Sequence, residues 1–200
     1  MNTKEDAWVM TYTGKRFYPF NPNPDDICIE DIAYSLSNMC RFLGHCSPRY
    51  SVAQHSVEVA VRVWREDPSQ TLAGLLHDAA EAYFGDYAGP CKRWLPDVLA
   101  LEDGLTAAVE EKFGVVIRGN ELVTSVDHRM TVTEFGLLMP EYDGDIGLAD
   151  EPFPVENLSY LYSREAELNF KTVYYNITHG LGITTNVENI YIQHEESNHV

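Results

Sequence analysis

The run Leu75-Leu76-His77-Asp78-Ala79 sets an imidazole and a carboxylate side by side in an otherwise apolar stretch. Burying both is costly unless each is bound to something. A divalent ion meets that need, because it takes neutral imidazole nitrogen and ionised carboxylate oxygen from donors that converge from different elements. His55, just after Ser51-Val52-Ala53-Gln54, and Asp127, in Val126-Asp127-His128-Arg129, are the further donors. Two imidazoles and two carboxylates leave coordination positions for water or a phosphate oxygen. They suit a borderline divalent ion such as Zn, Mn, Co or Fe rather than Ca. An ion so held lowers the pKa of its water and neutralises phosphate charge, which is hydrolytic chemistry. His45, His128, His179, His194 and His199 read as packing or solvated residues.

Helices must position these four. From Asp26, apolar Ile32, Leu36, Met39, Cys40 and Leu43 recur at helical spacing as far as a stop at Gly44. A second helix opens on the capping box Ser51-Val52-Ala53-Gln54 and buries Val52, Val59, Ala60, Val63 and Trp64 before Asp67-Pro68 breaks it. A third is expected from Thr71 to about Phe84, ended by Gly85, with His77 and Asp78 inside it. Neighbours on a helix lie ~100° apart, so that pair shares an ion only near the edge of a helix face. A fourth runs from Pro96 or Asp97 to Phe113, with Leu101, Leu105, Ala108 and Val109 inward and Gly114 as its stop. A fifth covers about Asn120 to Leu138, and a sixth Ser163 to about Thr178. Residues 141–158 read as an acidic, Gly/Pro-containing loop. The fold class is all-α: one domain of about six helices over 1–182, opening with a short hairpin over 8–17 that turns at Gly14. A polar tail, 183–200, reads as a short strand around Ile190-Tyr191-Ile192 or as mobile chain.

Composition narrows the function. The 200 residues suit a single core. With 31 acids against 14 bases the net charge is −17, which repels nucleic-acid polymers and anionic membranes. A small anion remains an acceptable substrate if metal ions and local bases reverse the potential in one pocket. No run approaches the ~18 apolar residues of a membrane span, and the first residues are too polar for a signal peptide. Cys28, Cys40, Cys46 and Cys91 form no C-x-x-C pair and read as reduced, mostly buried thiols in a cytoplasm.

Several blocks together resemble the HD-domain phosphohydrolase superfamily. They are Tyr12-Thr13-Gly14, Ile29-Glu30-Asp31-Ile32-Ala33, Leu36-Ser37-Asn38, Cys40-Arg41-Phe42, Tyr50-Ser51-Val52-Ala53-Gln54-His55-Ser56, Leu76-His77-Asp78-Ala79-Ala80-Glu81-Ala82-Tyr83, Asp86, Pro90 and Lys92. The chain is most similar to the small nucleotide-hydrolysing branch, with its 5′-deoxynucleotidases and phage dATP triphosphohydrolases. The likeness covers roughly residues 11–140 and is loose beyond. It implies a single HD domain over 1–182, with His55, His77, Asp78 and Asp127 as metal ligands. It implies a catalytic role for Glu81, which at i+3 from Asp78 and i+4 from His77 would share a helix face with them. It places Asp86 near the sugar or a second divalent ion such as Mg, and a plain capping role fits that residue as well. Arg41 and Lys92 become phosphate-binding residues, and Phe42 and Pro90 a sandwich for the nucleobase. The expected reaction is hydrolysis of dATP to deoxyadenosine and triphosphate. The alternatives are release of phosphate from deoxynucleoside monophosphates, or a silent nucleotide or metal sensor. The resemblance further implies a homo-oligomer in a cytoplasm, that of the host for a phage-borne gene.

Overall fold

The computed structural model describes residues 3–144, 147, 149–155, 158–181 and 183. The chain starts with a hairpin, β1 (Val9–Met10) and β2 (Arg16–Phe17), antiparallel with Val9 opposite Phe17. Gly14 turns it at φ 84°. Thr13 at the tip donates its N–H and hydroxyl to the buried Asp31 carboxylate, at 2.7 and 3.0 Å. This fastens the hairpin to α1 (Ile29–Asn38), which buries Ile29, Ile32, Ala33 and Leu36.

The helix expected to reach Leu43 stops at Asn38. Two hydrogen bonds divert it: Arg41 N–H to the Tyr50 carbonyl at 2.9 Å, and Val52 N–H to the Met39 carbonyl at 3.0 Å. Arg41–Gly44 then forms a tight turn in which Phe42 and Leu43 adopt left-handed φ values of 52° and 55°. Leu43 is consequently exposed rather than buried.

α2 (Val52–Glu66) begins as the sequence requires. The Ser51 hydroxyl accepts from the Gln54 N–H at 3.2 Å, and the Gln54 side chain closes back on the Ser51 N–H at 3.1 Å. It is the central helix, packing on α1, on α3 (Thr71–Leu76) and on two later helices, and feeding both apolar clusters of the core. Val52, Ala53, Val57 and Ala60 join Ile32, Leu36, Leu75 and Leu76 in one; Val59 and Val63 join Tyr50, Val126 and Met130 in the other. Each such large side chain stabilises the fold by about 1.5–3 kcal/mol. α3 presses on α2 through Gly74, where a Cβ would sit 3.0 Å from Val63 Cγ2.

α3 is shorter than its sequence predicts. It ends at Leu76; His77 and Asp78 form a turn, and Ala79–Tyr83 continues as a 3-10 helix. Asp78, at φ −97° and ψ 10°, leaves helical geometry. The residues after the break are tied elsewhere: the Ser35 hydroxyl donates to the Ala82 carbonyl at 3.1 Å, and Phe17 stacks on Tyr83. Leu and Ala favour a continuous helix only weakly, and this packing overrides them.

A four-residue helix, α4 (Gly89–Lys92), was not apparent in the sequence. α5 (Pro96–Phe113) ends at Gly114, left-handed at φ 66°. α6 (Glu121–Leu138) is capped by Asn120, whose side chain accepts from the Val123 N–H at 3.1 Å. α7 (Ser163–Thr178) lies against α1 and α2. Among the described residues the fold is all-α apart from the hairpin. Within 141–158 the described residues form neither helix nor strand. Apart from buried Ile183, the expected polar tail lies outside the described residues, with its Ile190-Tyr191-Ile192 segment, His194 and His199. No described helix is long and apolar enough to cross a membrane. All four cysteines are free thiols; Cys46 is buried as expected, whereas Cys91 is exposed on α4.

Candidate metal centre and adjoining pocket

His55 lies in the first turn of α2, which the Ser51 capping box fixes, and is 0% exposed. Its Nδ1–H donates to Glu134 Oε1 at 2.8 Å. His77 donates its Nδ1–H to the Gly74 carbonyl at 2.9 Å. Each ring thereby spends its Nδ1 proton behind itself. In the neutral tautomer each Nε2 is left as a lone pair, the arrangement seen in metal-ligating histidines.

The two Nε2 atoms approach to 3.2 Å. Asp127 Oδ1 is 3.0 Å from His55 Nε2 and 3.8 Å from His77 Nε2. Asp78 Oδ2 is 3.2 Å from His77 Nε2 and 3.8 Å from His55 Nε2. His55, His77 and Asp78 present ligand atoms all within 4.8 Å of one another. Two donors about 2.1 Å from one ion stand about 3.0 Å apart at a right angle and about 3.4 Å apart at the tetrahedral angle. The spacings of 3.0 and 3.2 Å fall in that range, the two of 3.8 Å correspond to a wider angle of about 130°, and two lone pairs beside anionic oxygens attract a cation. His55, His77 and Asp78 can hold a metal ion, and Asp127 Oδ1 lies against both imidazoles beside them. The break in α3 permits this, since it lets chain neighbours His77 and Asp78 face the same point without the turn an intact helix would impose.

The charges reinforce one another. Burial opposes ionisation of Asp78, yet the His77 charge and hydrogen bond hold its pKa down to about 2. Burial likewise opposes ionisation of Asp127, and the hydrogen bonds from His55 and His77 overcome it, keeping that carboxyl well below the usual range. Burial disfavours imidazolium at His77, but Asp78 and Asp127 raise it well above an ordinary histidine. His55 is raised too: Glu134 and Asp127 outweigh burial and the Arg41 charge. Without an ion, the field of the carboxylates recruits protons in its place.

Beside this cluster opens a cavity of about 550 Å³. Arg41, Phe42, Asp78, Glu81, Asp86, Pro90, Lys92 and Asp127 all line it. The remaining two residues singled out in the sequence, His55 and His77, touch its Asp78 and Asp127. Leu43, Tyr87 and Phe135 add apolar wall, with Phe42 packed edge-on against Phe135 at 5.9 Å between ring centres.

Glu81 reaches the site from the 3-10 segment rather than from a shared helix face. It is 5% exposed; Oε1 lies 3.6 Å from Lys92 Nζ, and Oε2 is buried without a hydrogen-bond partner among the described residues. Burial, then the charges of Asp78 and Asp86, push its pKa well above the ordinary carboxylate value. Burial also raises Asp86. Lys92 pairs with Glu102 as well as with Glu81, so its ammonium is held between acids at the cavity wall. Arg41 lines the cavity while Nε and Nη2 are engaged by Glu134 and Thr131.

Glu134 and Thr131 went unnoticed in the sequence. Glu134 follows Asp127 by seven residues, two helical turns, so both lie on one face of α6 with Thr131 between them. That spacing was the available signal.

No protein-family model matches the chain. It is similar to an uncharacterized protein, YfdR, of Escherichia coli (strain K12), with 42% identity over 147 residues, 74% of this chain and 76% of that protein. It is also similar to an uncharacterized protein of Rhodobacter capsulatus, with 40% identity over 116 residues, 54% of this chain and 59% of that protein.

Proposed function

The chain belongs to the family of Escherichia coli YfdR, and from that premise we propose that it is a metal-dependent phosphohydrolase of small deoxynucleotides. The observation that carries the reading is the convergence of His55 and His77 Nε2 with the Asp78 carboxylate, with Asp127 against the same two nitrogens, beside a cavity that holds both cations and aromatic rings. When bound there, a divalent ion of the Zn, Mn, Co or Fe type supplies Lewis acidity toward a phosphoryl oxygen and makes water a better nucleophile.

The chain supplies the rest. Lys92 and Arg41 offer positive charge to the phosphate oxygens from the cavity wall, where the transition state spreads negative charge. Glu81, its carboxyl shifted toward neutral pH by burial and by two neighbouring acids, accepts the proton of the attacking water. That proton passes to the departing 5′ oxygen as its bond to phosphorus breaks. Phe42 and Pro90 flank the base, and Asp86 takes the sugar or a second divalent ion.

On dATP, attack at the α-phosphorus yields deoxyadenosine and triphosphate. The second reading, phosphate release from a deoxynucleoside monophosphate, is favoured by charge. The cavity sets Asp78, Glu81, Asp86 and Asp127 against only Arg41, Lys92 and Arg93, which suits the smaller anion. The test is incubation of metal-loaded protein with a panel of deoxynucleoside mono- and triphosphates, with products separated by chromatography. Triphosphate from dATP selects the first reading, and phosphate from dAMP the second. Nucleotide binding without any product makes the protein a sensor and sinks both. Asp78→Ala is expected to lose bound metal and turnover together.

A further inference from the structure

α6 carries three polar side chains on one face, and they close a ring. Glu134, 0% exposed, accepts from His55 Nδ1 at 2.8 Å through Oε1 and from Arg41 Nε at 3.1 Å through Oε2, with Arg41 Nη2 in ion-pair contact with the same oxygen at 3.1 Å. Arg41 Nη2 donates onward to the Thr131 hydroxyl at 2.9 Å, and that hydroxyl faces Asp127 Oδ1 at 3.5 Å. Asp127 Oδ1 returns to His55 Nε2 at 3.0 Å. One buried carboxylate thus grips a ligand imidazole with one oxygen and a cavity-lining guanidinium with the other.

We infer that Glu134 is a positioning residue which sets the His55 tautomer and the Arg41 fork at once, so that the protein's affinities for a metal ion and for an anion are tied through it. The inference rests on the metal and phosphate reading above. Its logic lies in what an isosteric amide can do. A glutamine at this position offers one acceptor and one donor. If its oxygen faces His55, its NH₂ meets the N–H groups of Arg41. If its oxygen faces Arg41, its NH₂ meets His55 Nδ1 and drives the ring proton to Nε2, the atom aimed at the ligand cluster. Either way one arm of the grip fails. Only a carboxylate serves both.

The test measures binding, not turnover. Metal dissociation constants come from chelator competition with Mn²⁺ or Zn²⁺, and inorganic phosphate is titrated calorimetrically at saturating metal. Circular dichroism checks folding. Glu134→Gln is expected to weaken metal binding about 10–100-fold, as loss of such supporting partners does, and to weaken phosphate binding at saturating metal as well. Glu134→Asp, which keeps the charge, is expected to recover part of both. Folded Glu134→Gln protein with both constants within about twofold of the parent overturns the inference. If that variant does not fold, Thr131→Val decides: it cuts the ring at one link and is expected to weaken phosphate binding severalfold, and an unchanged constant overturns the inference equally. These constants need no reaction. Weakened binding in a protein that hydrolyses no nucleotide refutes the phosphohydrolase reading while leaving the role of Glu134 standing.

Discussion

Replacing Glu81 by glutamine is expected to stabilise the metal-free protein while removing its proposed catalytic base. The carboxyl is 5% exposed, one oxygen has no hydrogen-bond partner among the described residues, and Asp78 and Asp86 both oppose its charge. Its pKa in the folded chain therefore lies well above the value of 4.5 for an ordinary glutamate. The sign follows from linkage. Below the ordinary value the group is protonated in both states and carries no penalty. As pH rises through the window between the ordinary and the raised value, the unfolded chain ionises first and stability falls. The loss is complete once the folded carboxyl also ionises. A neutral amide of the same shape skips that loss. Relieving a buried, poorly solvated charge gains about 1–3 kcal/mol. Against this stands the 3.6 Å pair with Lys92, worth less than about 1 kcal/mol because Lys92 keeps Glu102. The net gain of about 1–2 kcal/mol raises Tm by roughly 3–6 °C in a chain of this length. The assay is thermal unfolding of chelator-treated parent and Glu81→Gln protein from pH 4.5 to pH 8. The difference should be near zero at the acid end and should grow toward neutrality. A variant no more stable than the parent at neutral pH, or a difference independent of pH, refutes the reasoning. The same variant should keep its metal and lose activity by about 10²–10⁴-fold.

Gly74→Ala puts a methyl 3.0 Å from Val63 Cγ2 and 3.3 Å from Ala60 Cα, the second a backbone atom that cannot yield. It should cost about 1–3 kcal/mol in urea unfolding. Because His77 hangs from the Gly74 carbonyl, metal affinity should fall too; an unchanged midpoint and affinity contradict the packing described. Metal binding should release about one to two protons per ion near pH 6.5, because His55 and His77 are held protonated by their carboxylate neighbours until an ion replaces those protons. Calorimetry in buffers of differing ionisation enthalpy counts them. Metal affinity should accordingly rise with pH from acid to neutral, and binding without proton release counts against the site.

Four long helices were legible because their ends are chemically marked. Ser51 with Gln54 opens α2, Pro96 and Gly114 bracket α5, and Asn120 caps α6. For α7 the marks were Ser163 and the glycine after His179. The break inside Thr71–Phe84 was not legible, since every residue there suits a helix and the interruption comes from packing against α1 and the hairpin. The premature end of α1 is similar: a backbone bridge between Cys40 and Ser51 leaves no mark on side-chain spacing. His77 and Asp78 were found because ionisable groups in an apolar run are conspicuous, and His55 and Asp127 because their order and helical setting supply the further donors such a pair needs. Glu134 was not, because a glutamate on an amphipathic helix looks like surface until its neighbours in space are known.

The consecutive left-handed residues Phe42 and Leu43 cost about 1–2 kcal/mol each relative to ordinary backbone. They turn the chain outward directly after Arg41, so that Phe42 and Leu43 become part of the cavity rim while the chain returns through Tyr50 into α2. The Phe42 ring lies 5.3 Å from the Arg41 guanidinium, while Leu43 points outward. Exchange at Leu43, which stands 62% exposed, can therefore reshape the rim for a different guest, whereas Phe42 ties the rim to Arg41, provided the unusual handedness of the bend survives.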